Sequence, residues 1–498
     1  MTRAPRQTQR SLARFALSIG SLVCLPVAAN TASAAQTSAN PPASVGPTIE
    51  ASAALPSKQQ RPLASVIEEY VRLARSSNLG LQTAALEVER SQAALDAARG
   101  RFFPEATLGA RYTRSEGGRE VSLPLAAAFN PVYSTLNELL LADGKPARFG
   151  SINDPRFLLQ REQEQDTRLS IRQPLYVPAL PAALRAQRSL LEANEYARMA
   201  LSQRLQRDVT TGYLDWLRAS RGAVIVEASE TLLAENLRIT ESLFRNGKVT
   251  QDQVLRAKAE WLAVGQHATE TRNVRDQLQS YVNFLLNQAL DTALEDADAD
   301  VEVQSATKDL AALRQGALDN RPEIGQVDRA VRAAGSRVDL ARAARKPTLA
   351  LGIDGGTQGE KYEFGRGRNF ATVSLLLNWT LFDGGARRAE VREARIAEQQ
   401  ARTRREEVAQ QIQLEVQQAL DQLYTSEASL RTAEARAEAA RAAFRIAGRK
   451  RDEGVISQVE FLDSRTSLTA AELNLNSVRF ELLARQAELD YATGVPQR

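Results

Sequence analysis

"LLLNWTLFDGGARRAEVREA" spans Leu375–Ala394 and changes its pattern halfway. In its first part apolar and polar residues alternate. Ala371, Val373, Leu375, Leu377, Trp379 and Leu381 share one side, while Thr372, Ser374, Asn378 and Thr380 share the other, with Phe370 and Leu376 as exceptions. A period of two marks a strand with one apolar face. From Gly385 a charged, alanine-rich helical pattern takes over and runs to about residue 451. At 1.5 Å per residue such a helix is about 100 Å long, deeper than any globular core. It has to pack lengthwise across an open space. The stretch therefore asks what covers the strand and what the helix spans.

The same pattern occurs earlier in the chain. "RFFPEATLGARY" (Arg101–Tyr112) is echoed by "ARKPTLALGIDG" (Ala344–Gly355), and "LSIRQPLY" (Leu169–Tyr176) by "LLLNWTLF" (Leu375–Phe382). "FRNGKVTQDQVL" (Phe244–Leu255) is echoed by "RDEGVISQVEFL" (Arg451–Leu462). The echoes keep their order, which predicts one internal duplication with repeats over 62–300 and 301–498. Each repeat reads as a helix (about 80–100; about 322–344), a strand from Pro104 or Pro347, a loop and a second strand. A very long helix follows (about 179–246; about 385–451), then a Gly-marked turn and a return helix (about 250–290; about 456–492). The first loop, about 115–165, exceeds its counterpart at 355–369 and reads as an exposed insertion with a short helix.

All four strands alternate. Leu349, Leu351 and Ile353 stand against Thr348 and Asp354; Ala106, Leu108 and Tyr112 against Glu105, Thr107 and Arg111; Leu169, Ile171 and Leu175 against Ser170 and Arg172. No helix of ordinary length is available to cover these apolar faces. Strands of about 9–11 residues, apolar outside and polar inside, suit a membrane barrel. Four are too few to close one, because single-chain barrels start at about eight strands. An open edge cannot stand in lipid with unpaired backbone groups, so several chains have to share the wall.

The long helices carry heptads. Ala409, Val416, Leu423, Leu430, Ala437 and Phe444 fall seven apart, as do Ile412, Ala419, Ser426 and Ala433. On the return helix Phe461, Leu468, Leu475, Leu482 and Leu489 do the same. A sustained 3.5 period specifies coiled-coil packing. At the turn, Gly454 can stop the helix in a left-handed conformation. Ser457 with Glu460 reads as a capping box for the return helix, and Thr250 with Gln253 as its first-half equivalent.

Arg3, Arg6, Arg10 and Arg14, the apolar run Phe15–Ala29 and the small residues at Ala34 and Ala35 read as a secretory signal over 1–35. Residues 36–61 read as a flexible leader. The whole chain has 64 basic and 60 acidic residues, but the first 34 hold four Arg and no acid, leaving 60 of each. The excess charge belongs to the signal, so no nucleic-acid footprint is expected. Cys24, the only cysteine, lies inside the apolar run, which leaves no disulfide for an exported chain. His267 is the only histidine, and no nucleophile motif or phosphate-binding loop accompanies it. No catalytic, cofactor or metal site is expected.

With its duplication, Pro-led strands, "QPLY" and "WTLFDGG" junctions and Gly-x-x-[Ser/Thr]-Gln turns, the chain resembles the TolC-like outer-membrane efflux proteins. The resemblance implies a mainly α fold with a transmembrane β part. Three chains share a 12-stranded β-barrel, four strands each, continued by a long α-helical coiled-coil barrel. It also implies a homotrimeric channel in the outer membrane that extends into the periplasm. Such a channel is the passive exit duct of a tripartite efflux or type I secretion system. Its partners are outer-membrane lipid, a periplasmic adaptor (membrane fusion) protein and an inner-membrane pump of RND, ABC or other type, and cargo choice lies mostly in the pump. The family's acidic aperture positions fall on Glu460 and Asp463, with the first-half position on neutral Gln253 beside Asp252; a basic residue of its tip network falls on Ile456. Gly247, Thr250, Gln251, Gly454, Ser457 and Gln458 are the expected adaptor-contacting turns, and Trp379, Phe382 and Tyr176 the membrane-interface anchors. The alternative is a secreted periplasmic coiled-coil scaffold or adaptor without a pore, which would have no use for the alternating strands.

Overall fold

A computed structural model describes residues 61–159, 161–298, 309–363 and 365–495. The expected signal, with Cys24, and the expected leader up to residue 60 lie outside the described residues. The first half runs α1 (Leu63–Ser77), α2 (Leu79–Gly100), β1 (Glu105–Arg114), β2 (Glu120–Ser122), α3 (Leu125–Ala142), β3 (Arg156–Leu158), β4 (Gln163–Tyr176), α4 (Ala179–Arg245) and α5 (Gln251–Leu285). The second runs α6 (Leu310–Asn320), α7 (Pro322–Ala343), β5 (Thr348–Gly359), β6 (Asn369–Asn378), α8 (Ala386–Asp452) and α9 (Gln458–Thr493). The order helix, helix, strand, strand, long helix, return helix occurs in both. The long helices α4 and α8 have 67 residues each, and α2 and α7 have 22 each.

Several boundaries differ from expectation for physical reasons. The short helices α1 and α6 were not legible. They are separated from α2 and α7 by Asn78 and Arg321, both in extended conformation. The Asn78 side chain accepts the Leu81 N–H and donates to the Leu285 carbonyl at 2.9 Å, so the break is held by a helix 200 residues away in sequence. Pro322 then starts α7, where a missing N–H costs nothing. Helix α5 stops at Leu285 rather than 290, just ahead of Asn287 at φ 53°. β5 runs through Gly359, although its glycines suggested a loop from 355. Gly356 pairs with Arg168, and a Cβ there would run into the Thr167 carbonyl. The glycine is the residue that lets two backbones pair so closely. Likewise the first-half loop ends at residue 162, because β4 begins at Gln163.

The four main strands form one antiparallel sheet in the order β1-β4-β5-β6, so β4 of the first half pairs with β5 of the second. The helices pack lengthwise, α4 against α5, α7, α2 and α9, and α8 against α9 and α7. The predicted seams are the buried ones. Ala409, Ile412, Val416, Ala419 and Leu423 of α8 meet Leu482 and Leu489 of α9 in one core cluster. Tyr213, Leu214, Trp216 and Leu217 of α4 form another with Leu63, Val66 and Phe480. Each large side chain fully buried this way contributes about 1.5–3 kcal/mol. Alanines in the seam keep the helix axes close.

Candidate functional site

The register places the apolar residues of all four strands side by side. Leu108 faces Leu169, Ala106 faces Ile171, Ile171 faces Ile353, and Ile353 faces Val373. Leu351 faces Leu375, and Leu349 faces Leu377. The result is one continuous apolar band. Leu108, Val373, Leu375 and Leu377 expose 65–75% of their surface, and no helix packs across the band among the described residues. The opposite face is polar. One rung reads Thr107, Ser170, Asp354, Thr372. Ser170 Oγ donates to Asp354, and Asp166 accepts from Arg168 and pairs with Arg111 at 3.6 Å. The two sequence exceptions have partners on this face: Arg168 lies 5.8 Å from the Phe370 ring centroid, and Leu376 lies over Gly352. β1 and β6 each keep one unpaired edge among the described residues.

At the sheet-to-helix junction, Gly384 and Gly385 take φ of 64° and 93°, a region that glycine enters without strain. Gly385 holds the N-cap position of α8, and Asp383 caps from two residues earlier, accepting the N–H groups of Gly385 and Arg387 at 3.1 Å each. Its carboxylate also holds the Arg387 guanidinium, which donates to the carbonyls of Thr380 at 2.6 Å and Ala344 at 3.2 Å. One ion pair therefore ties the strand end, the end of α7 and the start of α8. The expected anchors stand at this level and are exposed: Tyr176 ends β4, and Trp379 and Phe382 follow β6. Trp379 turns its indole N–H to the Arg345 carbonyl at 3.3 Å, leaving its ring outside. In the first half Pro178 precedes α4, and Val177 accepts the Leu180 N–H.

The turns lie about 100 Å away, at the far ends of α4 and α8. Gly247 and Gly454 take φ of 68° and 74°, and Lys248 and Val455 each donate back to the fifth residue before them, the Schellman arrangement. The capping box at Ser457 is complete: its hydroxyl accepts the Glu460 N–H, and the Glu460 carboxylate accepts the Ser457 N–H at 3.0 Å. The matching first-half expectation is corrected, because the Thr250 side chain makes no cap bond. Only a backbone bond from the Gln253 N–H reaches the Thr250 carbonyl. Glu460, Asp463, Asp252 and Gln251 are exposed and Gln253 half-buried. Gln458 donates to Asn236 of α4 at 2.9 Å, joining the second turn to the first long helix. Ile456 is not polar and packs with Phe461 and Leu233. Beside it, Arg451 lies 4.0 Å from the Phe461 ring and Arg465 lies 5.4 Å from that of Phe444.

Residues 313–495, the second half of this architecture, match the family model described as outer membrane efflux protein. Over this stretch the chain is similar to that family. It is 24% identical over 305 residues to the solvent efflux pump outer membrane protein SrpC of Pseudomonas putida, a match spanning 61% of this chain and 64% of that one. Among solved structures, the outer-membrane channel OprN superposes with a TM-score of 0.69 at 20% identity, covering 86% of this chain and 90% of that one. The CmeC outer membrane channel of Campylobacter jejuni gives 0.70 at 17% identity, covering 91% and 94%.

No cluster of three metal-ligating side chains occurs among the described residues, and His267 is exposed beside Glu270 at 3.7 Å. No described helix is long and apolar enough to cross a membrane. Sequence reading missed a buried polar knot. Arg321 bonds Glu323 through two nitrogens, reaches Glu415 at 3.1 Å and lies 4.6 Å from the Tyr491 ring, whose ring also lies 4.8 Å from Arg207. Burial alone pushes Glu323 up, but its bonds to Arg321 outweigh this and hold it below the usual carboxylate range. The only local signal was an Arg before the helix-starting Pro322.

Proposed function

We propose that the chain is one subunit of a passive outer-membrane exit duct, a channel and not an enzyme. The observation that carries this is the four-stranded sheet, apolar and uncovered on one face, polar on the other and open at both edges, continued by helices of 67 residues. Three copies of four strands give twelve, within the range of closed membrane barrels. Closure satisfies the edges of β1 and β6, since unpaired backbone groups cannot stand in lipid. The apolar band faces lipid, Trp379, Phe382 and Tyr176 anchor its periplasmic border, and the helices continue the wall as an α-barrel. The mature chain is an internal duplication, 62–300 and 301–498, preceded by a signal over 1–35 and a leader over 36–61. At the periplasmic tip the turns at Gly247, Thr250 and Gln251, and at Gly454, Ser457 and Gln458, meet an adaptor protein that links the duct to an inner-membrane pump. Glu460 and Asp463, with Asp252 and Gln253 nearby, line the aperture. Three copies would ring one axis with carboxylates, an arrangement that favours cations.

The direct test is purification in detergent, measurement of the assembly mass and conductance in planar bilayers. A trimer that conducts is expected. A protein that is soluble without detergent and never conducts overturns the reading and leaves a periplasmic scaffold. In a conducting trimer, Glu460→Gln with Asp463→Asn is expected to lower the cation-to-anion permeability ratio, while Gln at 460 keeps the capping box. An unchanged ratio removes these residues from the aperture.

A further inference from the structure

Between β1 and β4, at the end of the sheet remote from the long helices, the first half carries residues 115–162 where the second needs only 360–368. The 18-residue helix α3 fills this insertion, and none of its residues is buried. Its polar side is turned inward. Asn130 donates to the Ile152 carbonyl at 3.0 Å and accepts the Ile152 N–H at 2.8 Å. Asn137, one heptad on, donates to the Phe149 carbonyl at 2.7 Å and accepts the Arg148 and Phe149 N–H groups at 3.0 Å. Tyr133 stacks on Phe149 at 5.2 Å. The amides thus clip the returning chain to the helix.

The outward side is apolar. Leu125, Phe129, Val132, Leu136 and Leu139 advance by four, three, four and three residues, and each exposes at least 36% of its surface. This is the a/d spacing of a bundle seam. The stripe amounts to on the order of 450 Å², a size at which surface patches are often functional. Lipid is a poor occupant on chemical grounds. Helices that lie in a membrane surface carry Lys and Arg on their polar side, whereas the only charged residue of α3 is Glu138. A second copy of the same stripe fits both the spacing and the missing charge.

We propose that the α3 stripes of three subunits pack on one another across the outer mouth of the duct as a three-helix cap. The proposal rests on the trimer reading above. The reach suffices. Strands about 4.8 Å apart close a twelve-stranded wall at a radius of about 12 Å, and α3 is about 27 Å long. Three stripes together supply on the order of 1,400 Å², within the range of specific interfaces.

The test uses the full chain, whose only natural cysteine is Cys24 and which serves as the blank. Val132→Cys and Leu139→Cys sample the seam, and Ser134→Cys, exposed on the other side of α3, is the control. After the assembly mass is measured in detergent, copper phenanthroline oxidation is expected to convert monomer to disulfide-linked dimer on non-reducing gels for the two seam variants only. Oxidation of Val132→Cys is expected to lower single-channel conductance, and reductant to restore it. If the trimer is intact but the seam variants stay monomeric, or Ser134→Cys links equally well, the cap is wrong and the trimer stands. If a fluorophore on Val132→Cys is instead quenched by lipid-borne quenchers, α3 lies in the membrane and the cap is also wrong. If no trimer forms, the trimer reading and the cap fall together.

Discussion

Asp383 accepts from the Arg387 side chain and from two backbone N–H groups, and these bonds hold its carboxyl below the ordinary range. A depressed folded value means that the contribution is present above the unfolded value of about 3.9 and is lost as pH falls through the folded one. Asp383→Ala should therefore lower the thermal midpoint at pH 7, with a difference from the parent that shrinks as the buffer is taken below pH 3. Equal midpoints at pH 7 would show that the junction does not depend on this clamp. Arg321 poses the opposite problem, because it is buried. Arg321→Met leaves the carboxylates of Glu323 and Glu415 without their cation and should cost about 3–5 kcal/mol, as removal of one partner of a buried pair does. Glu323→Gln added to it should recover part of that loss in denaturant titration. A single variant as stable as the parent would mean that water replaces the guanidinium.

The two turns make a matched pair at the level of elements. They share the Gly-x-x-[Ser/Thr]-Gln pattern, the glycine conformation and the backward bond, but only Ser457 caps its helix. Ser457→Ala should destabilise the start of α9 by about 1 kcal/mol, and Thr250→Ala should leave α5 unchanged. Amide hydrogen exchange over residues 459–462 and 252–256 reads both, and equal effects would refute the asymmetry. The glycine stop could be read from sequence because it needs only local backbone. The missing Thr250 cap could not, because residue type permits a bond without requiring the rotamer that makes it. The heptads of α8 and α9 were legible for the same local reason. The break at Asn78 was not, because its partner carbonyl belongs to Leu285.

On the scale of the whole molecule, the sheet has two faces with different surroundings. Leu375 lies in the exposed apolar band and Ser374 on the polar face. Leu375→Arg should cost about 2–4 kcal/mol in a barrel, as a lipid-facing charge near the midplane does, while Ser374→Arg should fold. The yield of heat-modifiable trimer in outer-membrane fractions reports the difference, and normal assembly of Leu375→Arg would mean that the band does not face lipid. By itself the sequence determined the alternation of the strands, the length and seams of the helices and the places where the chain turns. These follow from periods of two and 3.5 and from glycine, all properties of neighbours along the chain. Only the tertiary structure decided that β4 pairs with β5, that Arg321 is buried among partners from α7, α8 and α9, and that Asn130 and Asn137 turn inward so that the leucines of α3 face out. Each of these depends on groups brought together from distant parts of the chain. The stretch from Leu375 to Ala394 holds both kinds: its pattern announced a strand and a helix, and the Asp383–Arg387 clamp that joins them to α7 existed only once the chain had folded.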